Sequence, residues 1–270
     1  MSTGPVSSAP TTPEPPGVDE RRNEIVNLVR QKGFATVEML AGHFEVTVQT
    51  IRRDLNDLSH QGRLARYRGG GGLPSSVANI DYSARQIMNQ PEKEHIATLV
   101  ARHVPDHVSV FINIGTTTEA VAGALIHHQD LRVITNNLNV ATILSRRTDF
   151  EITITGGSVR NRDGGVLGQA SVDMISQFRV DIGIIGISGI DADGTLLDFD
   201  YDEIRAAQTI LRNARKTFLV TDHSKFMRRP LLRMASIGDV SAVFTDMPPP
   251  PAIADLLAAS GTELHIAAPR

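Results

Sequence analysis

Seven short apolar runs rich in β-branched residues, at 108–114, 131–134, 151–154, 181–187, 217–220, 242–244 and 264–266, recur through the last 160 or so positions of the chain. Amphipathic stretches at 119–126, 139–146, 171–178 and 202–213 separate most of them. Runs of three to seven residues are strand-sized, and an apolar run without polar alternation suits a strand covered on both faces. Strands alternating with helices are best satisfied by a largely parallel sheet between two helical layers, so an α/β sandwich is predicted from about residue 91 onward.

The segment before it has a different period. Ile25, Leu28 and Val29 give a first amphipathic helix ending near Gly33; Val37, Leu40, Ala41 and Phe44 give a second, begun by Thr36 as N-cap. After a tight turn at Glu45-Val46, Thr47 caps a third helix whose Val48, Ile51, Leu55 and Leu58 share one buried face. Three short helices with that connection form a helix-turn-helix or a generic three-helix bundle. Two features favour the former. The outer face of the third helix carries Thr47, Gln49, Thr50, Arg52 and Arg53, side chains able to meet phosphates and base edges. Then Arg66 and Arg68 fall on one side of an extended segment, a wing able to follow a phosphate backbone. Gln49, Thr50 and Arg53 are the expected base readers, and Thr47, Arg52, Arg66 and Arg68 the phosphate contacts; Thr36 is counted with the DNA-contacting residues. Gly69 to Gly72 lacks the strand-to-helix setting of a dinucleotide fingerprint and reads as a flexible exit marking a domain boundary.

The domains expected are therefore a proline-rich tail at 1–18, a winged helix-turn-helix at 19–73, a linker at 74–90 and a sensor domain at 91–270, an α+β chain of two domains. A net charge of −3 alone argues against nucleic acid, but residues 19–73 hold nine Lys/Arg against seven Asp/Glu, leaving −4 for residues 74–270. A basic head on an acidic body fits a DNA module joined to a sensor. With no cysteine there is no disulfide, thiol catalysis or thiolate metal site. The tail has neither the basic start nor the apolar core of a signal peptide, and no apolar run approaches the roughly 20 residues of a membrane span, so a cytoplasmic protein without membrane contact is expected.

Ligands of open parallel sheets bind at the carboxyl ends of strands. Five segments fall there: Gly115-Thr116-Thr117-Thr118, Thr135-Asn136-Asn137, Gly156-Gly157-Ser158, Gly186-Ile187-Ser188-Gly189 and Asp222-His223-Ser224-Lys225. Gly115 to Thr118 opens a helix directly after a strand, a setting in which amides and hydroxyls face an anion. Without the Gly-Lys-Ser/Thr of a nucleotide loop, a small phosphate ester suits it better than a nucleoside triphosphate. Lys225 is the matching cation or a solvated surface lysine, with Arg160 as a second candidate; Asp222 belongs to the same rim. The acids at 191, 193, 198, 200, 202 and 203 read as turn and helix-start residues, Asp193-Gly194 as a turn and Asp202-Glu203 as first-turn acids, and their spacing does not make a calcium loop. The nine histidines offer no spaced pair on a helix face. Neither metal nor cofactor is expected.

Apart from the tail, the chain resembles the DeoR family of bacterial transcriptional repressors. The likeness rests on Thr50-Ile51-Arg52-Arg53-Asp54-Leu55 with Leu64, Arg66 and Gly69-Gly70, on Ile114-Gly115-Thr116-Thr117, and on Asp222-His223-Ser224-Lys225-Phe226. It implies a sensor related to the ribose-5-phosphate isomerase and CoA-transferase fold, operator DNA as partner and a homo-oligomer (a tetramer). A closer likeness within the family, carried by residues 135–141, 162–165, 176–179 and especially Gly186-Ile187-Ser188-Gly189-Ile190-Asp191 with Phe199-Asp200-Tyr201, implies repression of glycerol and glycerol-3-phosphate metabolism genes relieved by glycerol 3-phosphate. Asn113 stands where many members of the family carry an acid, and Tyr67-Arg68 where a histidine is common. A sugar-phosphate isomerase using the same rim is the alternative, with one of the clustered aspartates as base.

Overall fold

The computed structural model describes residues 17–32, 34–67, 69–72 and 79–267. Residues 1–16 of the tail expected at 1–18, Gly33, Arg68, residues 73–78 and residues 268–270 lie outside them, and Val18 already belongs to the first helix. The chain divides into two compact units, Met1–Pro74 and Ser75–Arg270.

The first unit runs α1 (Val18–Lys32), β1 (Phe34–Thr36), α2 (Val37–His43), α3 (Val48–His60), β2 (Ala65–Tyr67) and β3 (Gly70–Gly72). Ile25 and Val29 from α1, Leu40 from α2, and Ile51, Leu55 and Leu58 from α3 are fully buried in one core, with Val48 half-buried at its edge. Burying each such side chain contributes about 1.5–3 kcal/mol, which is how helices this short hold together. Both N-caps are formed by threonine: Thr36 Oγ1 accepts from Met39 N at 3.1 Å and Thr47 Oγ1 from Thr50 N at 3.2 Å. The glycine run is not the flexible exit expected. Gly70–Gly72 is the central strand of an antiparallel wing sheet, order β1-β3-β2, and it is buried. A Cβ on Gly70 would lie against the Ala35 carbonyl oxygen, and one on Gly71 would sit 2.7 Å from Leu55 Cδ2. Here glycine serves close approach of two backbones and a helix, a second reading that a Gly-rich run always carries.

The second unit begins earlier than residue 91. Residues 79–90, expected as part of a linker, contain α4 (Tyr82–Ile87), with Ile80, Met88 and Asn89 buried. α4 buries none of its own six residues, so it has no apolar period to announce it. There follow α5 (Gln90–Ala101), β4 (Ser109–Ile112), α6 (Thr116–Leu125), β5 (Arg132–Thr135), α7 (Leu138–Leu144), β6 (Glu151–Ile154), the hairpin β7 (Ser158–Arg160) and β8 (Gly165–Leu167), and α8 (Gln169–Ile175). Next come β9 (Val180–Ile185), β10 (Gly189–Ile190), β11 (Thr195–Asp198), α9 (Tyr201–Asn213), β12 (Ala214–Val220), β13 (Leu232–Ser236), β14 (Ala242–Thr245), α10 (Pro251–Ser260) and β15 (Glu263–Ile266).

Each of the seven predicted runs supplies a strand of one sheet, order β15-β14-β12-β9-β4-β5-β6, paired in parallel throughout. β10, β11 and β13 form a small antiparallel sheet beside it. Side chains alternate between two cores: Val110, Ile112, Ile182 and Ile184 meet α5, α6 and α7 on one face, while Phe111, Ile185, Leu219 and Val243 meet α8, α9 and α10 on the other. From β4 the chain passes through α6 to β5 and β6; from β9 it passes through α9, on the opposite face, to β12 and onward. Strand order therefore reverses between β4 and β9, and the loops leaving their carboxyl ends diverge to opposite faces. A crevice must open there.

Candidate functional site

Two surfaces matter, one in each unit. In the first, the outer face of α3 presents Gln49, Arg52 and Arg53 exposed, Thr47 exposed at its cap, and Thr50 half-buried with its hydroxyl 2.9 Å from that of Thr47. What fixes this face is a set of side chains that sequence patterning missed. Asp54 is 2 % exposed and accepts from Arg21 Nε at 2.7 Å and Arg22 Nε at 2.9 Å, and Arg22 also grips Asp57. Those pairs bolt α3 to α1 through its inner edge, leaving Arg52 and Arg53 outward. Arg66, expected to hold phosphate, turns inward: its guanidinium donates to the carbonyls of Tyr67 and Gly70 and, at 3.2 Å, to Asn56 Oδ1. Burial, and then the charge of Arg52, lower its pKa from the ordinary arginine value. Its positive charge still contributes to the face, but its hydrogen bonds close the wing turn. Thr36 is half-buried at the start of α2. Arg68 lies outside the described residues.

In the second unit a cavity opens at the β4/β9 reversal. Gly115, Thr116, Thr117, Thr118, Gly186, Ser188 and Lys225 line it, joined by Arg85, Asn113, Asp198 and Glu203. Gly115, at φ 148°, is the N-cap of α6, a conformation open to glycine and strained for other residues. The Thr118 hydroxyl is occupied, 2.7 Å from the Asn113 and Gly115 carbonyls, which leaves the first-turn amides of α6 as anion donors. Lys225 is no surface lysine. It is 9 % exposed, and burial pushes its ammonium down to about 7 against the pull of the Asp222 carboxylate. Asp222 itself stands behind the lysine, off the cavity wall, where it caps the turn His223–Lys225 and accepts from Asn89 Nδ2 at 2.9 Å. Burial opposes its charge, yet Lys225 and Ser224 hold its pKa below the usual carboxylate value.

Asp198 and Glu203 were read from sequence as turn and helix-start acids. Asp193 fits such a reading, accepting from Thr195 N at 2.9 Å, and Asp200 caps α9. Asp202 and Glu203 are first-turn acids of α9 as expected, and Asp198 and Glu203 line the cavity as well. Burial raises the Asp198 pKa, and burial together with repulsion from Asp198 raises that of Glu203 to about 7. Their signal in the sequence was a carboxylate ending an apolar run, Leu196-Leu197-Asp198, and another in the first turn of an amphipathic helix; Arg85 gave no signal.

Arg160 cannot serve as the second phosphate cation in this arrangement. Its guanidinium donates to Asp163 at 2.6 and 2.9 Å, to Asp200 at 2.7 Å and to Glu203 at 2.6 Å. Burial works against its charge, but Asp163 and Glu203 hold its pKa above the ordinary value. It ties the β7–β8 hairpin to α9. Thr135, Asn136 and Asn137 are fully buried beside the cavity and do not line it: Thr135 Oγ1 donates to the Ile112 carbonyl, and Asn137 Nδ2 to Glu119 Oε1. Gly156 and Gly157 are exposed away from it, and Gly189 packs against the Arg228 carbonyl. Two of the five rim segments thus line the cavity with glycine and hydroxyls, a third reaches it through Lys225, and the segments at 135–137 and 156–158 do not line it. Among the described residues no group of three or more His, Asp or Glu could hold a metal ion, and no helix is long and apolar enough to cross a membrane.

Comparison with known proteins matches residues 21–77 to the DeoR-like helix-turn-helix domain and residues 88–247 to the DeoR C terminal sensor domain. The glycerol-3-phosphate regulon repressor of Escherichia coli strain K12 is 50 % identical over 247 residues, 92 % of this chain and 96 % of that one. The protein of the same name from Haemophilus influenzae is 48 % identical over 229 residues, 84 % of this chain and 89 % of that one. Among solved structures, ribose 5 phosphate isomerase A from Neisseria gonorrhoeae superposes on 51 % of this chain and 54 % of its own with a TM-score of 0.37 at 16 % identity.

Proposed function

The chain belongs to the DeoR family of transcriptional repressors, and from that premise we propose that it represses genes of glycerol and glycerol-3-phosphate metabolism and leaves its operator when glycerol 3-phosphate enters the cavity between β4 and β9. The relatives that it matches over nearly all its length are named repressors, and the isomerase alternative is set aside on that ground. Supporting the effector is one observation above the others. At the strand-order reversal, the amide end of α6 and two cations, Lys225 and Arg85, converge on a small polar cavity. That is the constellation a phosphate monoester needs.

On the DNA side, Gln49, Thr50 and Arg53 read base edges in the major groove, while Thr47, Arg52 and Arg68 hold phosphates and Arg66 adds its charge to the face, with Thr36 at the start of α2 beside the backbone. Operator palindromy would require two heads at least, and a homo-tetramer is the assembly proposed, to be checked by light scattering on the purified chain. A repressor acts where the chromosome lies, which makes the cytoplasm its compartment. The decisive experiment is a gel-shift titration of operator complex with glycerol 3-phosphate: release at concentrations where glycerol and inorganic phosphate do nothing is expected, and unchanged operator affinity would sink the effector assignment.

A further inference from the structure

The cavity holds more hydrogen-bond acceptors than a phosphate can use. A phosphate monoester dianion is acceptor-only, and the α6 amides, Lys225 and Arg85 answer it with donors. The rest of the polar wall is the side chains of Ser188 and Thr221 together with Asn113, Asp198 and Glu203. Asp198 accepts from Phe199 N at 2.7 Å and Glu203 from Arg160 at 2.6 Å, so each carboxyl has at least one donor within the protein. Asn113 differs. It follows the last residue of β4 and is 4 % exposed, and its Oδ1 is buried with no hydrogen-bond partner among the described residues. Its own backbone is engaged, the amide donating to the Ile184 carbonyl at 3.0 Å and the carbonyl accepting from Thr118, so the side chain is fixed in place two residues before the cap of the phosphate-facing helix. A buried carbonyl oxygen left unpaired is costly, and the group that relieves it must bring a proton on a donor. A hydroxyl does so; a phosphate oxygen or a methylene does not.

We propose that Asn113 is the hydroxyl reader of the cavity, its Oδ1 accepting a hydrogen bond from a hydroxyl carried next to the phosphate, so that the site selects a phosphorylated polyol over an alkyl phosphate of the same length. This rests on the phosphate-ester reading given above. A site built around a hydrogen bond rejects the analogue lacking the hydroxyl far more strongly than an apolar pocket rejects an extra methylene, because the unpaired acceptor persists in the wrong complex.

The test is isothermal titration of the full-length protein with three probes, glycerol 3-phosphate, n-propyl phosphate and inorganic phosphate. The parent should bind glycerol 3-phosphate about tenfold or more tighter than n-propyl phosphate. Asn113→Leu, of similar volume and without the carbonyl, should bring the two esters to within about threefold of one another while leaving n-propyl phosphate affinity within about twofold. Asn113→Asp keeps an acceptor at the position and should retain the discrimination. Equal affinity of the parent for both esters, or an equal loss of both in Asn113→Leu, overturns the assignment of Asn113 while leaving the phosphate reading intact. Failure of every probe to bind the parent overturns both. Should Asn113→Leu fail to fold, the ester comparison on the parent and on Asn113→Asp still decides: discrimination lost in either is against the proposal.

Discussion

Arg52 and Arg53 are neighbours on one exposed helix face, yet a helix turns about 100° per residue and they cannot do the same work. Arg53→Ala is expected to cost about 1–3 kcal/mol at the operator and to relax discrimination among sequences, whereas Arg52→Ala should weaken specific and random DNA alike and reduce the slope of log affinity against log salt by about 0.9. Fluorescence anisotropy on operator and scrambled duplexes over a salt series separates the two; the reverse pattern would exchange their roles. In the cavity, a titration reports burial directly. The Glu203 pKa is raised from an ordinary 4.5 to about 7, so between those values the folded state binds more protons than the unfolded one. Its stabilising contribution is complete below about pH 4.5 and is lost as pH rises toward 7. Chemical denaturation across that window should show this downward slope shrink in Glu203→Gln, and an unchanged slope would mean that another group carries it. Gly115 to Thr118 and Lys225 were legible because a strand-to-helix junction and a lysine after a strand are local signals. Arg85, Asp198 and Glu203 were not, since each becomes a cavity residue only when elements far apart in sequence close around Asn113.

Among elements, legibility followed the strength of the apolar period. β-branched runs named every strand of the large sheet to within three residues, and Ile51, Leu55 and Leu58 named the inner face of α3. α4 has no buried residue and no period, and its residues were taken for linker. The glycine strand β3 misled for the opposite reason: glycine reports permission, and neither flexibility nor close packing can be told from it alone. The packing in the structure decides it. Gly71 faces Leu55 Cδ2 so closely that an added Cβ would stand 2.7 Å away, and the Leu55 side chain would have to shift within the core. Gly71→Val is therefore expected to destabilise the head by about 1–3 kcal/mol, as overpacking does, and to lower operator affinity with it. Circular dichroism melts of the full chain should show an earlier transition, while effector affinity stays at the parental value because the cavity lies wholly within the other unit. A parental melt would mean that the wing does not press on α3.

For the whole molecule the charge division becomes a constraint on function. A chain of net charge −3 can hold DNA only through a localised face, and the exposed arginines of α3 supply one while the sensor unit carries the excess acid. Binding must then be strongly salt-dependent, and release must come from energy that the effector spends differently in two states. An effector that binds the free and the DNA-bound repressor equally shifts nothing, however tightly it binds. Linkage makes the requirement reciprocal: if glycerol 3-phosphate weakens operator binding by some factor, saturating operator must weaken glycerol 3-phosphate binding by the same factor. Typical couplings of about 1–3 kcal/mol predict a 5- to 150-fold change in each direction. Titrating the effector into free protein and into preformed operator complex at one ionic strength measures both arms of the cycle. Equal dissociation constants in the two titrations would show that the ester, though bound between β4 and β9, is not what releases the DNA, and the inducer would have to be sought among other ligands of the same cavity.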